Sequence, residues 1–199
     1  MQDLALVMSG ECPDERKLEF ARLVKQAKAG DAAAFEAILM RYERQVLMTA
    51  LRLLNRNLED AKDAAQQVFL RLHRSLGQLD ENRYFPSWLY RITVNVCRDM
   101  MRDRMRRATV PLDSGEPGAA PADAPEKMRR AEQMRMIYAA LETLPEKERA
   151  AVVLRDLEGL STREVARTLK CSEVTVRSQI SNARVKIRKF VERQERRRV

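Results

Sequence analysis

The sequence predicts an all-α protein, with two small helical domains joined by a flexible linker. Aromatic residues make up 5% of the 199 residues and charged residues 34%, and runs rich in Ala, Leu, Arg and Glu are typical of helices. The helical pattern stops at residues 109–125, which hold four of the seven prolines and two of the six glycines, with net charge −3. Such a segment cannot bury enough apolar surface to fold alone. We therefore expect domains at 17–108 and 126–199.

Composition also excludes several classes of protein. Cys12, Cys97 and Cys171 are odd in number and widely spaced, which argues against a disulfide framework, and no Cys/His cluster predicts a metal site. His73 lies in a helical run and is expected to be a surface or packing residue. No catalytic residues and no cofactor are expected, because the chain shows no nucleotide-binding loop and no catalytic constellation. It has no stretch long enough to span a membrane and no signal peptide, so a cytoplasmic protein is expected.

The first domain begins with three helices in sequence. A helix over residues 17–28 is followed by a longer one that Asp31 caps, and Asn57 caps a third that Gly77 is expected to end. Apolar residues keep the helical period in the second and third helices. The outer side of the third helix is polar, which from periodicity alone indicates an ordinary solvated face.

A fourth helix starts at Pro86 and continues to about Arg107. One stripe along it is apolar, and a nearly opposite stripe is polar, formed by Arg91, Asn95, Arg98 and Arg102. Trp88 stands at the edge of the polar stripe, shortly after Tyr84 and Phe85 in the preceding loop. Aromatic rings beside a row of arginines suit unstacked bases. A single Trp is equally well explained as a core residue, so both interpretations of Trp88 stay open.

The C-terminal domain contains a predicted helix-turn-helix. Ser161 and Glu164 form a capping-box pattern that opens one helix, and Ser172 caps the next after a turn at Lys170 and Cys171. Two further helices precede this motif, one over 126–144 and one that Pro145 opens. The last helix of the motif has a single apolar stripe, formed by Val176, Ile180, Ala183 and Ile187.

The face opposite this apolar stripe is small and polar and has basic edges. It carries Val174, Ser178, Ser181 and Asn182, with arginines along one flank. Residues 161–199 hold twelve Lys and Arg against four Asp and Glu, so they carry +8 of the total charge of +9. A helical hairpin with a solvated charged face is the alternative, but this concentration of charge favours a helix that reads a DNA major groove.

Four segments together resemble the bacterial RNA polymerase sigma factors of the extracytoplasmic-function type, the group of the sigma-70 family that is similar to RpoE. They are DAKDAAQQVFLRLHR (60–74), FPSWLYRITVNVCRDMMR (85–102), LPEKERAAVVLRDLEGLSTREVA (144–166) and TVRSQISNAR (175–184). Each segment alone is moderate support, because helix-turn-helix patterns are widespread. Their order and spacing together are specific, and they imply sigma region 2, a linker and sigma region 4.

The resemblance implies roles that periodicity does not supply. The third helix would dock on the clamp of the largest subunit of core RNA polymerase through Asp60, Asp63, Gln66, Gln67 and Phe69. The loop and fourth helix would open the minus-ten element and hold the non-template single strand through Asn82, Tyr84, Phe85, Trp88, Arg91, Asn95 and Arg98. The helix-turn-helix would read the minus-thirty-five duplex through Ser161, Thr162, Lys170, Val174, Thr175, Arg177, Ser178, Ser181, Asn182 and Arg184. The acidic linker would follow the polymerase's RNA path, and an anti-sigma factor is an expected partner.

Three positions depart from the family pattern. Lys170 stands in the turn where relatives usually carry Gly, and a positive φ there would cost an L-residue roughly 1 kcal/mol. Val174 also replaces a common Gly, and its side chain could meet a thymine methyl group. Gln67 replaces a common Glu, which makes the expected polymerase-docking face less acidic.

The resulting hypothesis is an alternative sigma factor that binds core polymerase, directs promoter recognition and opens the start region without enzymatic activity. One rival is a stand-alone helix-turn-helix regulator that uses only the C-terminal domain on DNA. A recombinase or transposase fragment is a rival from another class, but the sequence lacks the cluster of acidic, Ser or Tyr catalytic residues that it requires.

Overall fold

The computed structural model describes residues 13–79, 85–107 and 125–197, and every regular secondary-structure element among these residues is a helix. The first domain contains α1 (Pro13–Lys28), α2 (Ala32–Leu53), α3 (Leu58–Ser75), a 3-10 turn (Leu76–Gln78) and α4 (Phe85–Arg107). The second contains α5 (Pro125–Glu142), α6 (Glu146–Val152), a π-helical segment (Val153–Leu157), α7 (Thr162–Leu169) and α8 (Glu173–Arg196). The predicted all-α fold of two domains is confirmed. Pro125, expected in the linker, is the first residue of α5.

Side-chain caps begin α2 and α3 where the sequence predicts them. The Asp31 carboxylate accepts hydrogen bonds from the backbone N–H groups of Ala33 and Ala34, at 2.9 and 3.2 Å. Asn57 accepts one from Asp60 N at 3.0 Å. These bonds satisfy amide groups that have no partner within the helix. Gly77 differs from expectation, because it lies inside the 3-10 turn and the chain continues in a tighter helix to Gln78.

The first domain packs α2, α3 and α4 around one apolar core, against which α1 also lies. Ile38, Val46, Val68, Leu72 and Val96 are fully buried in it. They recur at helical spacing on three different helices, so each helix contributes one apolar stripe.

An aromatic cluster closes the α1 end of this core. The ring of Phe85 lies 5.0 Å from that of Phe20, 5.2 Å from that of Tyr42 and 6.0 Å from that of Trp88, measured between centroids. The tilted and edge-on arrangements suit the quadrupoles of aromatic rings.

The second domain forms around the fully buried side chains of Val153, Leu154, Val165 and Val176. The apolar stripe of α8 faces this core as predicted, with Val176, Ile180 and Ala183 buried. Helix α8 continues to Arg196.

The two domains pack directly against each other. Helix α4 lies against α7, and α2 lies against α6 and the π-helical segment. Buried apolar residues of both domains form one continuous cluster. In the part of the chain that the structure describes, no helix is long and apolar enough to cross a membrane.

Candidate nucleic-acid interface

The helix-turn-helix forms with the predicted local hydrogen bonds. Glu164 N donates to Ser161 Oγ at 3.2 Å, and Ser161 N donates to Glu164 Oε2 at 2.8 Å, which completes the capping box. Thr175 N donates to Ser172 Oγ at 3.1 Å and starts α8. Lys170 ends α7 in the left-handed conformation, with φ 54° and ψ 49°. The expected positive φ at Lys170 is therefore confirmed.

Helix α8 presents its small polar face to solvent. The side chains of Ser178, Ser181 and Asn182 are exposed, and Val174 near the start of the helix is 70% exposed. No described part of the chain covers this face, and it begins directly after the turn. A helix of this form, with short polar side chains at its leading end, fits the width of a major groove.

Two basic residues on the flanks of α8 are paired within the domain. The Arg184 guanidinium donates two hydrogen bonds from Nη2 and one from Nε to Asp156, at 2.9 to 3.1 Å, and this contact raises the pKa of Arg184. Lys186 Nζ lies 2.8 Å from both carboxylate oxygens of Glu148. These pairs fasten α8 to the π-helical segment and to α6. Arg184, expected as a DNA contact, therefore has a structural partner already.

Other predicted DNA contacts also take part in local structure. The Ser161 hydroxyl donates to Glu164 at 2.6 Å, and the Thr175 hydroxyl lies 2.8 Å from Ser172 Oγ. Arg177 donates to Glu173 at 3.2 Å, an exposed pair one helical turn apart that DNA phosphates could replace. Thr162 is only half-buried, in the first turn of α7.

A shallow groove beside the turn adds two arginines that the sequence analysis missed. It has a volume of about 470 Å³ and is lined by Arg163, Ala166, Arg167, Lys170, Cys171 and Glu173. Arg163 and Arg167 are one helical turn apart on α7, and Lys170 follows three residues later. The sequence could have predicted that these three side chains lie together, because residues at i, i+4 and i+7 share one face of a helix. The groove is a suitable place for a phosphate backbone.

The polar stripe of α4 faces the second domain. Arg91 and Asn95 line a cavity of about 410 Å³ together with Trp88 and with Lys170 of the helix-turn-helix. Arg98 Nε donates to Glu146 Oε1 of α6 at 2.8 Å. The structure thus brings the predicted strand-binding residues together, but it places them at the junction of the two domains.

Phe85 and Trp88 are buried, whereas residues that stack on bases are expected to be exposed. Phe85 is 5% exposed and Trp88 is 7% exposed, because both rings are packed in the aromatic cluster of the first domain. Most of each ring is packed away from solvent, although Trp88 also borders the cavity beside Arg91, and the core interpretation of Trp88 is the one that fits. Asn82 and Tyr84 lie outside the described residues.

The outward face of α3 has a different composition from the one expected. Asp63, Gln66 and Gln67 are exposed, as predicted, while Asp60 accepts a hydrogen bond from Arg104 of α4 at 2.9 Å. Phe69 is half-buried against the core. Leu70 is instead the apolar residue on this face, with 57% of its surface exposed. The spacing 63, 66, 67 and 70 could have identified it, since it follows one side of a helix.

Comparisons with known proteins identify the family to which this chain belongs. The chain matches the family described as Sigma-70 region 2 over residues 38–107 and the family described as Sigma-70, region 4 over residues 134–187. The ECF RNA polymerase sigma factor SigM of Mycobacterium tuberculosis (strain ATCC 25618 / H37Rv) is 36% identical to it over 171 residues, 86% of this chain and 84% of SigM. The chain belongs to the extracytoplasmic-function sigma factors.

Further similarities support this sigma factor assignment. The ECF RNA polymerase sigma-E factor of Escherichia coli (strain K12) is 33% identical over 171 residues, 81% of this chain and 88% of the relative. The solved structure of CnrH in complex with the cytosolic domain of CnrY matches with a TM-score of 0.65 and 27% identity, over 86% of this chain and 96% of CnrH. RpoE in its complex with the anti-sigma factor NepR from Bartonella quintana has the same fold, with a TM-score of 0.67 at 20% identity.

The protein is thus an alternative sigma factor, and the first and second domains are its regions 2 and 4. A stand-alone helix-turn-helix regulator is not favoured, because the similarity covers region 2 as well as the DNA-reading domain. Sigma factors are DNA-binding transcription initiation factors that work with core RNA polymerase.

Proposed function

We propose that this sigma factor joins core RNA polymerase through α3, reads the minus-thirty-five duplex with α8, and captures the non-template strand of the minus-ten element with α4. The exposed polar face of α8 carries the proposal. It combines Val174, Ser178, Ser181 and Asn182 on one side of a helix whose opposite side is firmly packed.

Reading of the minus-thirty-five element divides between base edges and phosphates. Asn182 and the two serines are short enough to meet base edges, and an Asn amide can bond adenine in the major groove. Arg163, Arg167 and Lys170 line the groove beside the turn and supply charge for the sugar–phosphate backbone. Affinity from such contacts falls as salt rises, because each neutralised phosphate releases counterions.

Opening of the minus-ten element uses binding energy alone. Extruding a base costs a few kcal/mol of stacking, which polar contacts to the freed strand must offset. Arg91, Asn95 and Arg98 form a polar row on α4 with the spacing needed to follow a strand, and they suit phosphates and base edges better than ring stacking. Asn82 and Tyr84 remain candidates for the pocket that receives an extruded base.

Docking on polymerase is assigned to the exposed face of α3, against the clamp of the largest subunit. Asp63, Gln66 and Gln67 give this face hydrogen-bonding groups, and Leu70 gives it an apolar centre that water does not solvate favourably. A partner that covers this face would bury the Leu70 side chain together with its polar neighbours. Asp60 contributes indirectly, because its bond to Arg104 fixes α3 against α4.

An anti-sigma factor is proposed as a further partner, since CnrH was solved with a fragment of CnrY and RpoE with NepR. The acidic linker is proposed to follow the RNA path of the polymerase. We place the protein in the cytoplasm, where core polymerase works.

The strand-capture assignment is tested with Arg91→Ala combined with Arg98→Ala. This variant should still be pulled down with core polymerase, but permanganate reactivity of the melted promoter bases should fall, because the strand loses two cationic contacts. The matched control is Arg22→Ala with Arg44→Ala, which removes two exposed arginines from α1 and α2. Undiminished reactivity in the first variant would remove α4 from the strand-binding role.

The docking assignment is tested separately with Asp63→Lys and Leu70→Asp. Either change should reduce recovery of core polymerase in a pull-down, because one reverses a charge and the other places a carboxylate in an apolar contact. Glu36→Lys, an exposed change on α2, serves as the control. Full recovery of core polymerase with both variants would exclude this face of α3.

A further inference from the structure

The first turn of α8, together with its cap Ser172, exposes one apolar side chain. Val174 is 70% exposed, whereas Val176 in the same turn is fully buried in the core of region 4. An isolated exposed valine is ordinary on most protein surfaces. Val174, however, lies at the leading end of the α8 face that we assign to the minus-thirty-five duplex, so its surroundings determine which part of the DNA it can contact.

Hydrogen bonds hold the polar side chains of this turn to one another. Thr175 N donates to Ser172 Oγ at 3.1 Å, and the two hydroxyl oxygens lie 2.8 Å apart. Glu173 accepts a hydrogen bond from Arg177 of the next turn at 3.2 Å. A base edge that bonds Ser172 or Thr175 competes with the bonds that begin the helix. An apolar contact of Val174 requires no such exchange.

The position of the Val174 side chain is defined before DNA binds. The cap fixes the backbone of this turn, because Val176 N also donates to the Ser172 carbonyl oxygen at 3.1 Å. In a helix, a β-branched side chain has one strongly preferred χ1 rotamer. A contact made by Val174 therefore loses less conformational entropy than one made by a long polar side chain such as that of Arg177.

Thymine is the base whose major-groove edge matches this side chain. Its C5 methyl group is apolar, whereas the edges of the other bases present hydrogen-bond donors and acceptors in this groove. Packing the methyl group against the Val174 isopropyl group removes both from water. A nitrogen or oxygen atom in the same place would lose its water without gaining a hydrogen bond. Val174 thus favours thymine and disfavours the other three bases at one position.

Spacing along α8 distinguishes Val174 from a second exposed valine, Val185. Both lie on the same side of the helix as Ser178 and Asn182, and Val185 is 50% exposed. At about 1.5 Å per residue, Val174 is about 6 Å from Ser178 and about 12 Å from Asn182 along the axis, which matches the major-groove width of about 12 Å. Val185 is about 16 Å from Val174, beyond that width. Val174 is therefore the valine that is placed to meet a base edge.

We propose that Val174 recognises the C5 methyl group of one thymine in the minus-thirty-five element, and that this contact sets the base preference of the leading turn of α8. The inference rests on the proposed function, because it names the chemical group to which the duplex-reading face binds. Ser178, Ser181 and Asn182 supply hydrogen bonds to neighbouring base edges, so apolar and polar recognition follow one another along the helix.

The test uses holoenzyme assembled from the full-length chain and core polymerase, on a promoter identified by start-site mapping. Each thymine of the minus-thirty-five element is replaced in turn by deoxyuridine, which removes the methyl group and keeps the base pair. With the wild-type chain, one replacement should weaken binding about fourfold in an electrophoretic mobility assay, the loss expected for one buried methyl group. Val174→Ala should bind the unmodified promoter at least about fourfold more weakly and should no longer distinguish thymine from deoxyuridine at that position.

Val185→Ala is the matched control, since it removes the same side chain from the same side of α8. It should bind the promoter as the wild type does and keep the preference for thymine. Alanine favours a helix at an exposed position, so both variants should retain their folded structure, which far-UV circular dichroism verifies.

The inference is overturned if no deoxyuridine replacement weakens binding by the wild type, or if Val174→Ala keeps the full preference for thymine. A loss with Val174→Ala that is equal on every promoter variant would assign Val174 to a contact with polymerase instead. Holoenzyme that starts transcription at no specific site would refute the proposed function itself. That result differs from a promoter-specific holoenzyme that does not respond to the methyl group.

Discussion

Lys170 offers a sharp test of how the turn of the helix-turn-helix is stabilised. It adopts the left-handed conformation at φ 54° and ψ 49°, and its N–H donates to the carbonyl oxygen of Ala166. An L-residue in this conformation makes the folded state about 1 kcal/mol or more less stable than glycine does. Lys170→Gly should therefore stabilise the fold, while a more flexible unfolded chain offsets part of the gain. The net expectation is a gain of about 0.5–1 kcal/mol.

The substitution also removes a side chain, so the comparison needs Lys170→Ala. Alanine loses the same ammonium group and the same contact with the domain-junction cavity, but it keeps the steric cost of the left-handed conformation. Lys170→Gly should exceed Lys170→Ala in unfolding free energy by about 1 kcal/mol. Urea denaturation followed by far-UV circular dichroism measures this as a midpoint difference of about 0.3–0.5 M, for a slope of about 2–3 kcal/mol per M. Equal midpoints, or a more stable alanine variant, would refute the role given to backbone strain at this turn.

Three further perturbations test other parts of the structure. Arg149→Ala should lower the free energy of unfolding, measured by urea denaturation, by about 3 kcal/mol or more, because several buried acceptors lose their hydrogen bonds. A loss no larger than that of the exposed Lys147→Ala would contradict this. Asn182→Ala should cost about 1–3 kcal/mol at particular promoter base pairs in binding assays with holoenzyme; an equal loss on all sequences would indicate a phosphate contact. Burial raises the pKa of Cys97 to about 12. In the unfolded chain the thiol has its ordinary pKa of about 9, so above that pH it loses its proton before the folded chain does. Stability therefore falls by at most about 1.4 kcal/mol per pH unit. The stability difference between wild type and Cys97→Ala should shrink between about pH 8 and pH 10.5, and parallel curves would be inconsistent with this assignment.

Local features of this protein could be predicted because their causes lie within a few residues. Asp31, Asn57, Ser161 and Ser172 cap helices through bonds to amides two or three positions away. The apolar stripe of α8 follows the helical period directly. The fold class and the exposed polar face of α8 therefore follow from pattern alone, and the order of four segments supplied the family.

Features that depend on distant pairs could not be predicted in this way. Glu158 is one acidic residue among 29 Asp and Glu in the sequence, and only the packed domains show that three donors from region 2 surround it. Arg149 looks like a surface residue of an amphipathic helix, yet it is buried. The π-helical segment has no local signature in VLRDL either, and it holds Asp156, which is paired with Arg184 of α8.

On α3 and α4, expectation and structure differ in which side chains face solvent. Phe69 was expected on the docking face from the resemblance, although the spacing from Asp63 through Gln66 and Gln67 favours the adjacent Leu70. Phe85 and Trp88 could have been either stacking platforms or core residues, and packing with Phe20 decides for the core. The sequence pattern located these helices, but not the rotation of every side chain around them.

Transcription start-site mapping tests the central claim most directly. Core RNA polymerase is incubated with genomic fragments, with and without the purified protein, and the 5′ ends of run-off transcripts are determined. The sigma assignment predicts new start sites on a subset of fragments that share sequence about 10 and about 35 base pairs upstream, the two elements assigned to α4 and α8. A pattern of start sites identical to that of core polymerase alone would contradict it.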